Sequence, residues 1–289
     1  MTLITGANGH LGTAVIDFLL KKNPSLKIAG LVRSEEKGQA LKEKGVELRM
    51  GDYTDVSSLK NAVKNIDTLL LISSGTLKDR IKQHVNVITA AKEAGVKHIL
   101  YTSIVQAEKK LSAIAVDHFE TEEAIKASGI NYTILRNTYY SEFFQPIFLG
   151  NAVETGEWYY PANGSKINMA LRTEMAEAAA NILLDVNNHV NKTYEITSGQ
   201  SYSFSQLAGI VSVASEKQVR YADLSLDSWQ EGLSKAPIPN DVKDFLVDNA
   251  RSITKGSLDY TDVALENLLG RKPQDLAGYI YQTVNNSNK

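Results

Sequence analysis

The sequence predicts an α/β protein: a doubly wound parallel sheet with a smaller, mostly helical C-terminal lobe. Three observations predict it. Short apolar runs alternate with amphipathic stretches through the first half of the 289 residues, which is the pattern of strands and helices wound into a parallel sheet. The first apolar run leads directly into a spaced set of glycines. The alternation stops near Asn137, after which the chain turns aromatic and then largely helical.

The elements follow in order. TLIT is a short strand, and LGTAVIDFLLKK is a helix with Leu11, Val15, Phe18 and Leu19 on one face. KIAGLV is a strand and EEKGQALKEK a polar helix; VELRM is a strand and VSSLKNAVKN a helix. TLLLI has no polar interruption, as a strand buried on both faces requires. DRIKQHVNVITAAKEAG is a long helix closed by Gly95. HILYT is the fifth strand, the next helix closes at Gly129, and NYTILR is the sixth strand. We divide the chain into a first domain over 1–137 and a lobe over 138–289, with 173–197 as a stretch able to return to the first domain. In the lobe, KINMALR and QVRYADL read as strands, TEMAEAAANILL as a helix and KTYEIT as a strand, and the polar NNSNK end is expected to fray.

Composition narrows the function. Hydrophobic residues at 43% and charged residues at 22% suit a soluble globular protein, and the net charge of −2 offers no basic field for nucleic acid. There is no cysteine, so disulfides and thiolate metal sites are excluded. No apolar run reaches membrane-spanning length and no secretory leader opens the chain, so we expect a cytoplasmic protein without membrane attachment. His10, His84, His98 and His189 show no H-x-x-x-H spacing, and no metal site is expected.

The glycines point to a cofactor. TLITGANGHLG places Gly6, Gly9 and Gly12 between a strand and a helix. Glycines there allow a tight turn, let the backbone approach a pyrophosphate and bring helix and strand close together, while the helix N-terminus offers free N–H groups. Gly6, Ala7, Asn8, Gly9, His10 and Leu11 are therefore the cofactor-binding candidates of a Rossmann-type domain. The end of the second strand selects the dinucleotide. LVRSEEK puts Arg33 where an NAD site would carry an acid, and Glu35 and Glu36 belong to the next helix's first turn, so we expect NADP(H). A solvated surface arginine is the competing reading. Asp52 suits the adenine amino group or, equally, a turn or cap. Ser73, Ser74 and Gly75, small residues ending the fourth strand, leave room for a ribose.

These residues, with LLLISS at 69–74, AAKEAGVKHILYTS at 90–103 and YTILRNTYYSEFF at 132–144, resemble the short-chain dehydrogenase/reductase superfamily in its atypical NmrA-like branch. The likeness spans nearly the whole chain. It implies a nicotinamide held in a cleft between the two parts, with Asn137 and Tyr140 near it; for Arg172, contact with cofactor or substrate and a surface ion pair are equal readings. Standard members carry a serine and then Tyr-x-x-x-Lys on the following helix. Here Ser103 stands in the serine's place, but the helix carries His118 and Glu122 instead. Four apart, these two share a helix face, expected to look into the cleft; a capping box from Asp117 and Glu120 is the alternative. Glu122 would raise the pKa of a neighbouring acid rather than lower it, so ketone–alcohol chemistry is unsupported. Hydride transfer to a quinone or a similarly flat, electron-poor acceptor needs no such acid. Tyr139, Tyr140, Phe143 and Phe144 are the candidates for the acceptor's slot, with ordinary core packing as the alternative. A non-catalytic NADP-binding sensor that engages a partner protein remains the second functional reading, because the missing tyrosine and lysine fit both.

Overall fold

The structure, a computed structural model, describes residues 1–76 and 78–286. The chain divides into two compact units. The first comprises residues 1–108, 114–137 and 173–195; the second comprises 109–113, 138–172 and 196–289.

The first unit is the doubly wound sheet. Its elements run β1 (Thr2–Ile4), α1 (His10–Lys22), β2 (Ile28–Val32), α2 (Glu35–Glu43), β3 (Glu47–Met50), α3 (Val56–Ala62), β4 (Thr68–Leu71), α4 (Arg80–Glu93), β5 (His98–Ile104), α5 (Ala113–Ser128) and β6 (Asn131–Asn137). A seventh strand, Lys192–Ile196, joins beyond β6, one more than the six expected. Asn191 N–H donates to Tyr132 O (2.6 Å) and Thr138 N–H to Ile196 O (2.9 Å), so its pairing rises in step with β6, as parallel strands do. From that strand the sheet runs β6-β5-β4-β1-β2-β3. β1 pairs with β2 on one side and β4 on the other, Thr2 lying opposite both Ile28 and Thr68. The strand order therefore reverses at β1, and a crevice opens at the carboxyl ends there, where such sheets bind ligands.

The apolar periodicity of each element explains its burial. β2 is buried throughout, and Leu69, Leu70 and Leu71 of β4 are fully covered. α1 turns Leu11, Val15, Ile16 and Leu19 inward; Ile16 occupies the place expected for Phe18, which is only partly covered. Each such side chain contributes about 1.5–3 kcal/mol relative to exposure. The helices end where left-handed backbone is required, at Gly95 (φ +76) and Gly129 (φ +78).

The second unit is built around an aromatic cluster. Phe204 stacks on Tyr160 with centroids 4.8 Å apart and packs on Trp158, and Trp158 meets Phe144 edge-on at 5.7 Å. Strands Glu157–Tyr160 and Arg220–Asp223 pair in parallel beside it. The expected strand KINMALR is divided: Lys166–Ile167 pairs with Tyr202–Ser203, and Met169–Ala170 with Tyr139–Tyr140. Asn168 makes the break. It is fully buried, its N–H donates to Leu258 O (2.8 Å), its Nδ2 donates to Gln200 O (2.8 Å), and its Oδ1 accepts from Ser198 N–H (2.9 Å). Helix Leu276–Asn286 carries the chain through the first two residues of NNSNK; the last three lie outside the described residues. Among the described residues, no helix is long and apolar enough to cross a membrane.

Burial also sets an acid limit on the fold. His84, His98 and His118 are all buried. Desolvation, helped by the charge of Arg80, holds His84 down to about 3; burial holds His98 down to about 4 and His118 well below its ordinary value. The unfolded chain, with rings near pH 6.5, binds protons that the folded chain refuses. The stability these rings contribute is complete above about pH 6.5 and is lost as pH falls toward the folded values, by about 1.4 kcal/mol per pH unit per ring. We expect denaturant unfolding to show a fall in stability from pH 7 to pH 5 that His98→Gln reduces by about 2 kcal/mol. Equal falls in the two proteins would show that this ring titrates normally in the fold.

Candidate functional site

The site begins at the turn from β1 into α1. Gly6 sits at φ +57, and Gly9 N–H donates back to Gly6 O (2.9 Å). A Cβ on Gly12 would stand 2.3 Å from Gly6 O and 2.9 Å from Ala7 Cα, so only glycine allows α1 this close. A Cβ on Gly9 would meet only Gly6 O, at 3.2 Å, and this glycine keeps the turn's outer side open. Gly9 occupies the cap position without a side chain to satisfy the first N–H groups of the helix. Those donors remain for an anion. Ala7 and Leu11 are buried, so they can serve a ligand only through their backbone, whereas Asn8 and His10 are exposed.

The turn opens on a cavity of about 410 Å³ whose lining includes Gly6, Asn8, Arg33, Asp52, Tyr53 and Ser73–Thr76. Arg33 is exposed on its wall. The residues after it are committed elsewhere: Ser34 caps α2, accepting from Lys37 N–H, and Glu35 in the first turn pairs with Lys42 at 2.7 Å. Asp52 lines the cavity but also holds its own turn. Its Oδ1 accepts from Thr54 Oγ1 (2.6 Å) and Thr54 N–H (2.8 Å), and these bonds keep the carboxyl below its ordinary pKa. The cap of α3 is Asp55 instead. Tyr53 was not anticipated. Its hydroxyl donates to Ile72 O (2.8 Å), while Thr5 Oγ1 accepts from Ile72 N–H (2.9 Å), so the residue leaving β4 is held at both polar groups. Its only signal in the sequence is an aromatic next to the Gly-Asp that ends β3. Ser73 N–H donates to Thr102 Oγ1 (2.9 Å), which fixes the next residue. At the end of β6, Asn137 is buried and its Oδ1 lacks a hydrogen-bond partner among the described residues. Such an acceptor is costly unless a donor arrives. Free N–H groups, an arginine and an unmatched amide oxygen fit a phosphorylated dinucleotide.

His118 and Glu122 depart from expectation. α5 starts at Ala113, so Asp117 lies a turn inside the helix and no capping box forms. The shared face turns inward: His118 is 6% exposed and Glu122 0%. His118 Nδ1 shares a hydrogen bond with the Tyr101 hydroxyl (2.7 Å). Glu122 takes Arg136 in a fork, Nε to Oε1 at 3.0 Å and Nη2 to Oε2 at 2.8 Å, and accepts from Ser103 Oγ (2.5 Å). Arg136 also reaches Glu195 (2.9 Å) and Glu108. Burial acts to lower the pKa of Arg136, but the hydrogen bonds to Glu122 and Glu195 outweigh it and raise it. Burial raises that of Glu195. Ser103 is thus spent on Glu122, and the trio expected to line a cleft instead ties α5 to β5 and β6.

In the second unit the four aromatics separate. Phe144 is 2% exposed and belongs to the core against Trp158. The Tyr139 hydroxyl donates to Asn249 Oδ1 (2.9 Å). Tyr140 and Phe143 stay together, centroids 5.4 Å apart, and the Arg172 guanidinium lies 4.5 Å from the first ring and 5.6 Å from the second. Arg172 is itself the first residue of its helix. The Glu142 carboxylate accepts from Arg172 N–H (3.3 Å), a role not anticipated for the acid inside YYSEFF. A planar cation over two rings makes a flat, polarisable surface.

The Arg136 network gives a stability prediction. Glu122→Leu removes the fork partner of a buried guanidinium and should cost about 3 kcal/mol in urea unfolding. A loss below about 1 kcal/mol would mean that Glu195 and Glu108 alone satisfy the arginine.

The sequence pattern of the NmrA-like family matches residues 1–285. Over 288 residues the chain is 38% identical to quinone oxidoreductase 2 of Escherichia coli strain K12, with 100% of each chain covered. The crystal structure of the NADPH-dependent quinone oxidoreductase of E. coli with NADPH matches at a TM-score of 0.91 and 38% identity, over 98% of this chain and 99% of that one. Triphenylmethane reductase of Citrobacter sp. complexed with NADP(H) matches at a TM-score of 0.91 and 36% identity, over 98% of this chain and 100% of the other. With its glycine turn, its sheet and its full length accounted for, the chain belongs to the NmrA-like family.

Proposed function

We propose that this chain is an NADPH-dependent reductase that delivers hydride to quinones or similar flat, electron-poor acceptors. The observation that carries the reading is the glycine turn opening on a cavity with Arg33 on its wall. The full-length likeness to a quinone oxidoreductase and to triphenylmethane reductase supports the acceptor class. As a consumer of NADPH, the protein is proposed to work in the cytoplasm.

When bound, NADPH supplies the hydride. The residues of the chain bind and orient. The N–H groups at the start of α1 take the pyrophosphate, with Gly9 leaving its approach clear. Arg33 takes the 2′-phosphate, and Asp52 and Ser73–Gly75 border the adenosine side of the same cavity. The unmatched Oδ1 of Asn137 suits an amide donor such as that of nicotinamide. Tyr140, Phe143 and Arg172 form the surface proposed for the acceptor ring, and burial raises the pKa of Tyr140, keeping its hydroxyl protonated at neutral pH. No side chain is assigned as a proton relay. The His118 imidazole is buried and held neutral, and Ser103 is bonded to Glu122. After hydride transfer the hydroquinone anion takes the single proton it still needs from water, and the protein contributes by positioning two flat rings.

The direct test is NADPH consumption with a simple benzoquinone, beside NADP-dependent oxidation of simple secondary alcohols. Turnover of the quinone and none of the alcohol is expected; NADPH binding without consumption would favour the sensor reading. A second expectation isolates Arg33. A charge-assisted bond to a phosphate contributes about 1.5–3 kcal/mol. Arg33→Ala should therefore weaken NADPH by at least about tenfold while leaving NADH within about twofold, by fluorescence titration. Equal losses for both cofactors would remove Arg33 from the 2′-phosphate.

A further inference from the structure

α4 carries Arg80, Gln83 and His84, none of which the reading above uses for chemistry. All three turn toward the segment that leaves β4. Ser74 N–H donates to His84 Nε2 (2.9 Å), and Arg80 Nε donates to Ser74 O (3.0 Å). Both polar groups of one peptide residue are thus held by side chains four apart on one helix. Gln83 Oε1 accepts from Ser74 Oγ (2.6 Å), and its Nε2 donates to Thr76 Oγ1 (3.2 Å).

We infer that His84 and Arg80 are positioning residues for NADPH, setting the Ser73–Gly75 wall of the nucleotide cavity by clamping the Ser74 backbone. The inference rests on the NADPH reading proposed above. Three features support it. The clamped segment is itself cavity wall, since Ser73, Ser74, Gly75, Thr76 and Gln83 all line the cavity. The clamp is built from groups that are expensive to bury: His84 is 0% exposed and Arg80 6%. Arg80 Nη1 lacks a hydrogen bond among the described residues and faces Asp117 Oδ2 only at 3.6 Å. A loop that needed only covering would be covered at lower cost by apolar side chains. Finally, the clamp has a defined tautomer. Because Nε2 accepts, the ring proton sits on Nδ1 and donates to Thr121 Oγ1 (2.9 Å), which donates to Asp117 O (2.8 Å). The imidazole is braced by α5 on one side and aims a lone pair at Ser74 on the other. Burial keeps it neutral, and hence an acceptor, down to about pH 3.

The experiment uses the full chain with His84→Leu, His84→Gln and His84→Asn. NADPH affinity is read by fluorescence titration, and steady-state quinone reduction is measured at saturating NADPH. The glutamine Oε1 can replace Nε2 as the acceptor; leucine cannot accept, and asparagine is too short. We expect His84→Leu and His84→Asn to weaken NADPH by about tenfold, with the KM for benzoquinone within about twofold and His84→Gln within about threefold of wild type on both counts. If His84→Leu fails to fold, the asparagine–glutamine pair decides, with glutamine at least about threefold tighter. Folded variants that all bind NADPH like wild type, or a glutamine no better than asparagine, overturn the clamp. A wild-type chain that binds no NADPH overturns the cofactor reading and the clamp with it.

Discussion

The constraint on which the site depends is the approach of α1 to the end of β1. A Cβ on Gly12 would overlap Gly6 O at 2.3 Å, so the helix can start where it does only because nothing projects from that position. That closeness brings the uncapped N–H groups of His10 and its neighbours to the carboxyl end of the sheet. It does so at β1, the strand where the sheet order reverses. Anion site and crevice therefore coincide by geometry, and Arg33 at the end of β2 and Ser73 after β4 stand on the two sides of that strand.

The rest of the first unit serves that crevice by immobilising strand ends. Tyr53 and Thr5 hold Ile72, Thr102 holds Ser73, and Arg80 and His84 hold Ser74, so three consecutive residues after β4 have fixed backbone groups. On the far side Glu122, Arg136 and Ser103 lock α5 against β5 and β6. His118 and Glu122 are thus used for holding α5 against β5 and β6.

Much of the sheet was legible because its signals are local: apolar runs of strand length, amphipathic helices, and glycines closing α4 and α5. What escaped was non-local. The seventh strand is recognisable as a strand in KTYEIT, within a stretch able to return to the first domain, but nothing within it says that its edge belongs beside β6. KINMALR reads as one strand until the buried Asn168 bonds to Leu258, Gln200 and Ser198, all distant in sequence. In the site, Gly6, Gly9 and Arg33 could be singled out because strand–turn–helix geometry gives those positions their meaning. The spacing of His118 and Glu122 says that they share a face but not which way it points. Their partners Tyr101 and Arg136 lie on other elements, and only the fold shows that the face is interior. Phe143 and Phe144 are neighbours of the same chemistry, and the backbone after Tyr140 sends one to the surface and the other to the core.

In the proposed reaction, hydride transfer needs no side-chain acid. Stopped-flow measurement of the first hydride transfer from NADPH to benzoquinone, followed from pH 6 to pH 8.5, tests it most directly. The rate is expected to change by less than about twofold across that range, since His118 is held neutral and Ser103 is bonded to Glu122. A rate that falls about tenfold per pH unit on one limb, and loses that limb in His118→Ala, would contradict it.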